Sequence, residues 1–132
     1  MISRKMRVLI IEDDLILALS LEIMLKKMGF VMIHKTHTGE KALEVLVDFE
    51  PDLLLVDIFL GAGISGVDVV KKIQSNKDIP VIYITGNSDD YHRNLASETN
   101  HSGYLVKPVT YNELKNTLEK VNLIPENEIK DS

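Results

Sequence analysis

The chain has 132 residues, enough for one domain with a real core and too few for two ordinary ones. Apolar residues make up 45% and charged residues 27%, as in a soluble globular protein, and a formal charge of -5 argues against a nucleic-acid surface, which normally shows a basic patch. With no cysteine there is neither a disulfide framework nor a thiolate metal site, and no uncharged stretch approaches the roughly 18 apolar residues a membrane span needs. Met1-Ile2-Ser3-Arg4-Lys5 looks like a signal-peptide start, but the apolar stretch after it is interrupted by Glu12-Asp13-Asp14 and lacks a small-residue cleavage site. The expected location is the cytoplasm.

Strands are predicted to start near Arg7, Val31, Leu53, Pro80 and Gly103, with helical periodicity between them, the rhythm of repeated βα units. The first strand, Val8-Leu9-Ile10-Ile11, runs into Glu12-Asp13, and a helix follows from Leu15 to Met28. Asp13 or Asp14 caps its start and Gly29 ends it. The second strand, Val31-Met32-Ile33-His34, is more polar at its end and suits a sheet edge. Thr38 caps the second helix, with Ala42, Leu43, Leu46 and Val47 inward, and Pro51 prevents its continuation. Leu53-Leu54-Leu55-Val56 then runs into Asp57, and Gly66 opens a third helix over Val67 to Ser75. Val81-Ile82-Tyr83-Ile84 runs into Thr85, followed by a helix from Asp89 to Asn100 that carries few apolar residues. Tyr104-Leu105-Val106 runs into Lys107-Pro108, and the fifth helix spans Tyr111 to Asn122 with Leu114, Leu118 and Val121 buried. Residues 1–124 form the domain and 125–132 a polar tail, expected to be disordered. The four histidines are expected at the surface, and Met24, Met28 and Met32 as core filler.

Five such units predict an α/β, doubly wound, flavodoxin-like sheet of five parallel strands in the order 2-1-3-4-5, with helices on both faces. The first and third strands meet at the switch point, so Asp13 and Asp57 become neighbours there. Each polar strand ending has an ordinary structural reading alone: a helix cap, a turn, a satisfied hydroxyl, a solvated ammonium. Their joint occurrence on one sheet edge points to chemistry instead.

Three carboxylates, Glu12, Asp13 and Asp57, would gather within several ångströms. At about 4 Å each like-charged pair costs roughly 4 kcal/mol at an effective dielectric of about 20, so the cluster holds a proton or binds a cation. Carboxylate oxygens with open water positions suit Mg²⁺ (or Mn²⁺). A carboxylate at a strand end can attack phosphorus, and phosphoryl transfer needs mainly positioning and neutralised oxygens. The Lys107 ammonium and the Thr85 hydroxyl suit two of those oxygens, and Gly86 leaves room for the group.

Glu12-Asp13, Asp57, Thr85-Gly86, Tyr104 and Lys107-Pro108, in this order and spacing, closely resemble the receiver domain of two-component response regulators over roughly Met6 to Val121. The resemblance implies that Asp57 is the phosphoacceptor, that Glu12 and Asp13 with the Phe59 backbone carbonyl complete the metal ligands, and that Lys107 contacts the phosphoryl group. It also implies a cis peptide to Pro108 and a switch pair, Thr85 and Tyr104, that alters the surface of the fourth helix, fifth strand and fifth helix. The implied partners are a sensor histidine kinase or phosphotransfer protein and a downstream protein target. Direct nucleic-acid or membrane contact is not implied, and a homodimer can form through the same switch surface. The protein would catalyse only its own phosphorylation and dephosphorylation, and its role would be signalling rather than enzymatic.

The sequence departs from the family at several places. Gly61 stands where proline is more usual, and Gly66 arrives one residue late, giving the loop Gly61-Ala62-Gly63-Ile64-Ser65-Gly66. Phe59 is bulkier than usual and is expected to shield the acyl phosphate from water, a position it shares with Asn87; Val109 replaces an aromatic residue. Among competing classes, a flavodoxin-like cofactor binder would not place Glu12-Asp13-Asp14 where a phosphate must sit. An aspartyl-phosphate phosphatase would carry a second aspartate where Phe59 stands, and no P-loop motif is present. A receiver-like module that signals without phosphorylation, and a receiver excised from a larger regulator or hybrid kinase, are the alternatives.

Overall fold

The computed structural model describes residues 5–61, 63–86 and 89–125; Ala62, Asn87 and the expected tail beyond Pro125 lie outside that set. Its elements alternate strictly: β1 (Arg7–Ile11), α1 (Leu15–Lys27), β2 (Met32–Thr36), α2 (Gly39–Val45), β3 (Leu53–Asp57), α3 (Gly66–Gln74), β4 (Val81–Thr85), α4 (Asp90–Ala96), β5 (Gly103–Val106) and α5 (Tyr111–Lys120). All strands are parallel, in the order β2-β1-β3-β4-β5. This is the flavodoxin-like, five-stranded arrangement expected from the sequence.

The aliphatic runs of β1, β3 and β4 are buried on both faces, so alternate residues feed two separate cores. Val8, Ile10, Leu53, Leu55, Ile82 and Ile84 pack with α1 and α5. Leu9, Leu54, Val56, Val81 and Tyr83 point the other way, onto α2, α3 and Ala96 of α4. Capping decides where the helices begin. Asp14 accepts from the Ile16 and Leu17 amides, Ser65 from Asp68, and Thr110 forms a reciprocal capping box with Glu113. Gly29, at φ 103°, ends α1 in a conformation that disfavours side chains.

The segment after α4 is fastened from two sides. The Tyr83 hydroxyl lies 2.7 Å from that of Thr99, and the Gln74 amide donates to the Asn100 carbonyl at 2.7 Å. Several expectations are corrected. Val47 is 79% exposed rather than inward, because α2 stops at Val45 and the chain turns there. Met32 is exposed on the edge strand β2, while Met28 is buried. The fourth helix ends at Ala96, not Asn100. Val121, expected in the buried stripe, is half-buried at the C-cap of α5. His92 is buried, not at the surface. Among the described residues, no helix is long and apolar enough to cross a membrane.

Candidate functional site

Strand register builds the site. Pairing of Ile11 with Val56 brings the residues that follow them, Glu12 and Asp57, to one edge, and Asp57 itself pairs with Ile84 beside Thr85. The Lys107 amide donates to the Thr85 carbonyl at 2.7 Å, which ties the end of β5 to the end of β4. One carboxylate oxygen each from Glu12, Asp13 and Asp57 lies within 4.8 Å of the others. Glu12 and Asp57 are buried, while Asp13 faces solvent and gives the cluster its open side.

Lys107 extends into this cluster. Its Nζ donates to Asp57 Oδ2 at 2.8 Å and lies 3.3 Å from Glu12 Oε1. Burial opposes the Lys107 charge, but the Asp57 and Glu12 carboxylates outweigh it and raise the pKa. Burial pushes the Glu12 carboxyl up to about 8; the Asp14 amide bond opposes this, and Asp57's charge adds to it. Glu12 Oε1 is buried and makes no hydrogen bond among the described residues; its contact is the Lys107 ion pair at 3.3 Å, which leaves the oxygen able to take a metal ion. Three clustered carboxylates, one open to water, fit a hard divalent ion such as Mg²⁺.

The surrounding backbone is shaped to Asp57. The Phe59 amide donates to Asp57 Oδ1 at 3.0 Å. Gly66 lies so close to the Asp57 carbonyl that no side chain fits there. At Gly61, φ is +71°, and a Cβ would stand 3.3 Å from Asp13 Oδ2. The glycine loop is held from outside, since the Glu40 carboxylate accepts from the Ile64 amide at 3.2 Å. A Cβ at Gly86 would touch only the Lys107 stem, at 4.0 Å.

Thr85 is buried at the end of β4. Tyr104, on β5, packs against the α2–α3–α4 core with the Arg93 guanidinium 4.4 Å over its ring. The Lys107–Pro108 peptide is cis. Of the histidines on the β2 side, His37 is committed through Nδ1 to the Glu12 carbonyl at 2.9 Å, and His34 packs on Phe49.

Two features escaped the sequence reading. His92 meets the Phe59 ring, and nothing in its spacing announces this. Leu15, Ile16, Leu19 and Ile23 form an exposed apolar stripe on α1. Here a signal was present, because α1 holds more apolar residues than one buried face requires.

The family model described as the response regulator receiver domain matches residues 8–119. The transcriptional regulatory protein AfsQ1 of Streptomyces coelicolor is 34% identical over 101 residues, 76% of this chain and 44% of its own. The DNA-binding response regulator MtrA of Mycobacterium bovis is 31% identical over 112 residues, 85% of this chain and 48% of its own. The chain thus spans less than half the length of these relatives. Among solved structures, the signal receiver domain of a modulated diguanylate cyclase from Desulfovibrio desulfuricans G20 superposes with TM-score 0.80 at 32% identity, covering 89% of this chain and 93% of that one. With its fold, its sheet-edge cluster and these matches together, the chain belongs to the response regulator receiver domains of two-component systems.

Proposed function

We propose that Asp57 accepts a phosphoryl group from the phosphohistidine of a sensor kinase or phosphotransfer protein, or from a small donor, and that the change is read by another protein. The Lys107 ammonium 2.8 Å from Asp57, inside the carboxylate cluster, is the observation that carries this reading. Glu12, Asp13, Asp57 and the Phe59 carbonyl would hold Mg²⁺ (or Mn²⁺), which when bound neutralises charge on the transferring group. An Asp57 oxygen forms the new bond to phosphorus as the P–N bond to the donor histidine breaks, and the departing imidazole keeps that electron pair. Lys107 meets a second phosphoryl oxygen, and the Thr85 hydroxyl a third. The added charge of about -1.5 to -2 favours an arrangement in which Thr85 turns toward it and Tyr104 repacks under Arg93, altering the α4-β5-α5 face. The acidic balance of the chain favours a protein target over direct nucleic-acid contact. Intact-mass analysis with acetyl phosphate and Mg²⁺ tests the proposal: one added phosphoryl group is expected, and none would overturn it.

The raised Glu12 pKa makes metal binding pH-dependent. The ligand form is the carboxylate, so Mg²⁺ must displace a proton wherever the pH lies below about 8. Affinity should rise with pH, by up to about tenfold per unit, and level off above that value. Calorimetry near neutrality should show release of up to about one proton, seen as heats that change with the buffer's ionisation enthalpy. Buffer-independent heats and a flat affinity would refute this. Without metal, the same shift stabilises the fold fully below the ordinary carboxyl value of 4.5 and is lost as pH rises through about 8.

The α1 stripe begins just after Asp13 and Asp14 and supports docking of a helical donor there. Ile16, 80% exposed, and Leu19 can be replaced by serine with little loss of core. The double variant should take phosphate from acetyl phosphate at the parent rate, yet lose about tenfold or more in transfer from a phosphohistidine kinase. Equal loss from both donors would count against docking on α1.

A further inference from the structure

We infer that His92 is a positioning residue for Phe59, and that this ring pair sets how long a phosphoryl group survives on Asp57. The inference rests on the acceptor reading just proposed and extends it to a residue outside the pocket. The Phe59 amide is bonded to Asp57, so its backbone lies directly beside the acceptor. The Phe59 ring is 47% exposed, and its aromatic neighbour is the His92 imidazole, edge-on with centroids 4.7 Å apart and planes at 80°. The contact joins the loop after β3 to the first turn of α4, the segments that follow Asp57 and Thr85 respectively.

His92 is unusually well fixed for such a role. It is 8% exposed, and its Nδ1 lies 2.6 Å from Asp89 Oδ1. The same carboxylate oxygen accepts the His92 backbone amide at 3.0 Å, as the N-cap of α4. The imidazole therefore cannot rotate away without breaking its bond to the same oxygen that caps the helix. Tyr91 closes its other side, edge-on at 5.5 Å. A hydrophobic residue would fill the space as well; an imidazole tied at Nδ1 additionally fixes the ring edge that Phe59 meets.

Hydrolysis requires a water oxygen to approach phosphorus opposite the Asp57 oxygen. The P–O bond to Asp57 then breaks, and inorganic phosphate departs with the water's proton passing to solvent. A Phe59 ring held at this rim obstructs that approach, whereas a ring without its stop swings clear more often. Because the stop is carried on α4, whatever holds α4 in this position also slows loss of the phosphoryl group.

The test uses the full chain, phosphorylated with acetyl phosphate and Mg²⁺, freed of donor and followed by intact mass at one pH. His92→Leu keeps the buried volume but removes the ring edge, and should lose phosphate about three- to tenfold faster, the range an aromatic pair supplies. Phe59→Ala should accelerate loss similarly, and the double variant should be no faster than the faster single one. His92→Phe, which keeps a ring edge but not the Nδ1 bond, should fall between His92→Leu and the parent, a graded recovery that a general loosening of α4 would not give; thermal unfolding reports that loosening separately. A parent-like lifetime in His92→Leu, or effects that multiply in the double variant, would overturn the proposal. Failure of the parent chain to gain any phosphoryl group would overturn the acceptor reading, and this inference with it.

Discussion

Asp57→Asn should take up no phosphoryl group at all, from acetyl phosphate or from a kinase. The amide is no nucleophile, and no neighbouring carboxylate shares Asp57's position, bonded at once to Lys107 and to the Phe59 amide. Glu12 is buried with its oxygens directed to Lys107 and the Asp14 amide, and Asp13 lies at the open side. The fold should survive, because the substitution removes one member of a repelling carboxylate group while Lys107 keeps Glu12 as partner. Mg²⁺ affinity should fall by about tenfold or more, as an anionic ligand is lost from a site that depends on charge. Intact mass and calorimetry read the two effects separately. A phosphoryl adduct on the variant would place the acceptor elsewhere.

The largest stability effect is expected at Gly66. A Cβ there would overlap the Asp57 carbonyl oxygen and stand 2.8 Å from Val56 Cγ1, and backbone in the middle of a five-stranded sheet cannot yield. The Gly66 amide also donates to the Ile58 carbonyl at 2.9 Å, so retreat would break a buried bond. Gly66→Ala should destabilise by about 3 kcal/mol, at the upper end of overpacking costs. With a urea slope of about 1–3 kcal/mol/M, the unfolding midpoint should drop by at least about 1 M. Gly86→Ala, whose Cβ meets only the Lys107 stem at 4.0 Å, should change the midpoint little. A Gly66→Ala midpoint equal to the parent's would show that the loop can rebuild around a methyl group.

The strands and their order were legible because β1, β3 and β4 are uninterrupted aliphatic runs that only a doubly covered sheet can bury. The carboxylate cluster followed from that order, since Asp57 ends β3, and Glu12 and Asp13 are the first two residues after β1. Caps were readable for a similar reason: Asp14 and Thr38 stand one residue before a helix and have side chains that bond its first amides. What the sequence left obscure depends on tertiary partners. His92 occupies a buried position in a helix short of apolar residues, and a polar residue can do so only because Asp89 satisfies it. Val47 looked apolar enough to be inside, but a helix that ends two residues earlier leaves it nothing to face. The late arrival of Gly66 also gains a reason: its place against Asp57 is fixed, so the extra residue is accommodated between Gly61 and Ser65, where Glu40 anchors the loop.

The fastening of Thr99 and Asn100 to β4 and α3 gives α4 a fulcrum at its far end. Pressure arriving from the pocket would be felt at Asp89 and His92, at the opposite end of a seven-residue lever. A helix held at one end would tilt instead of sliding, with the widest arc at its first turn. Arg93, stacked over the Tyr104 ring, would be carried with it, so a small change beside Asp57 would reach an onlooker as a reshaped outer profile.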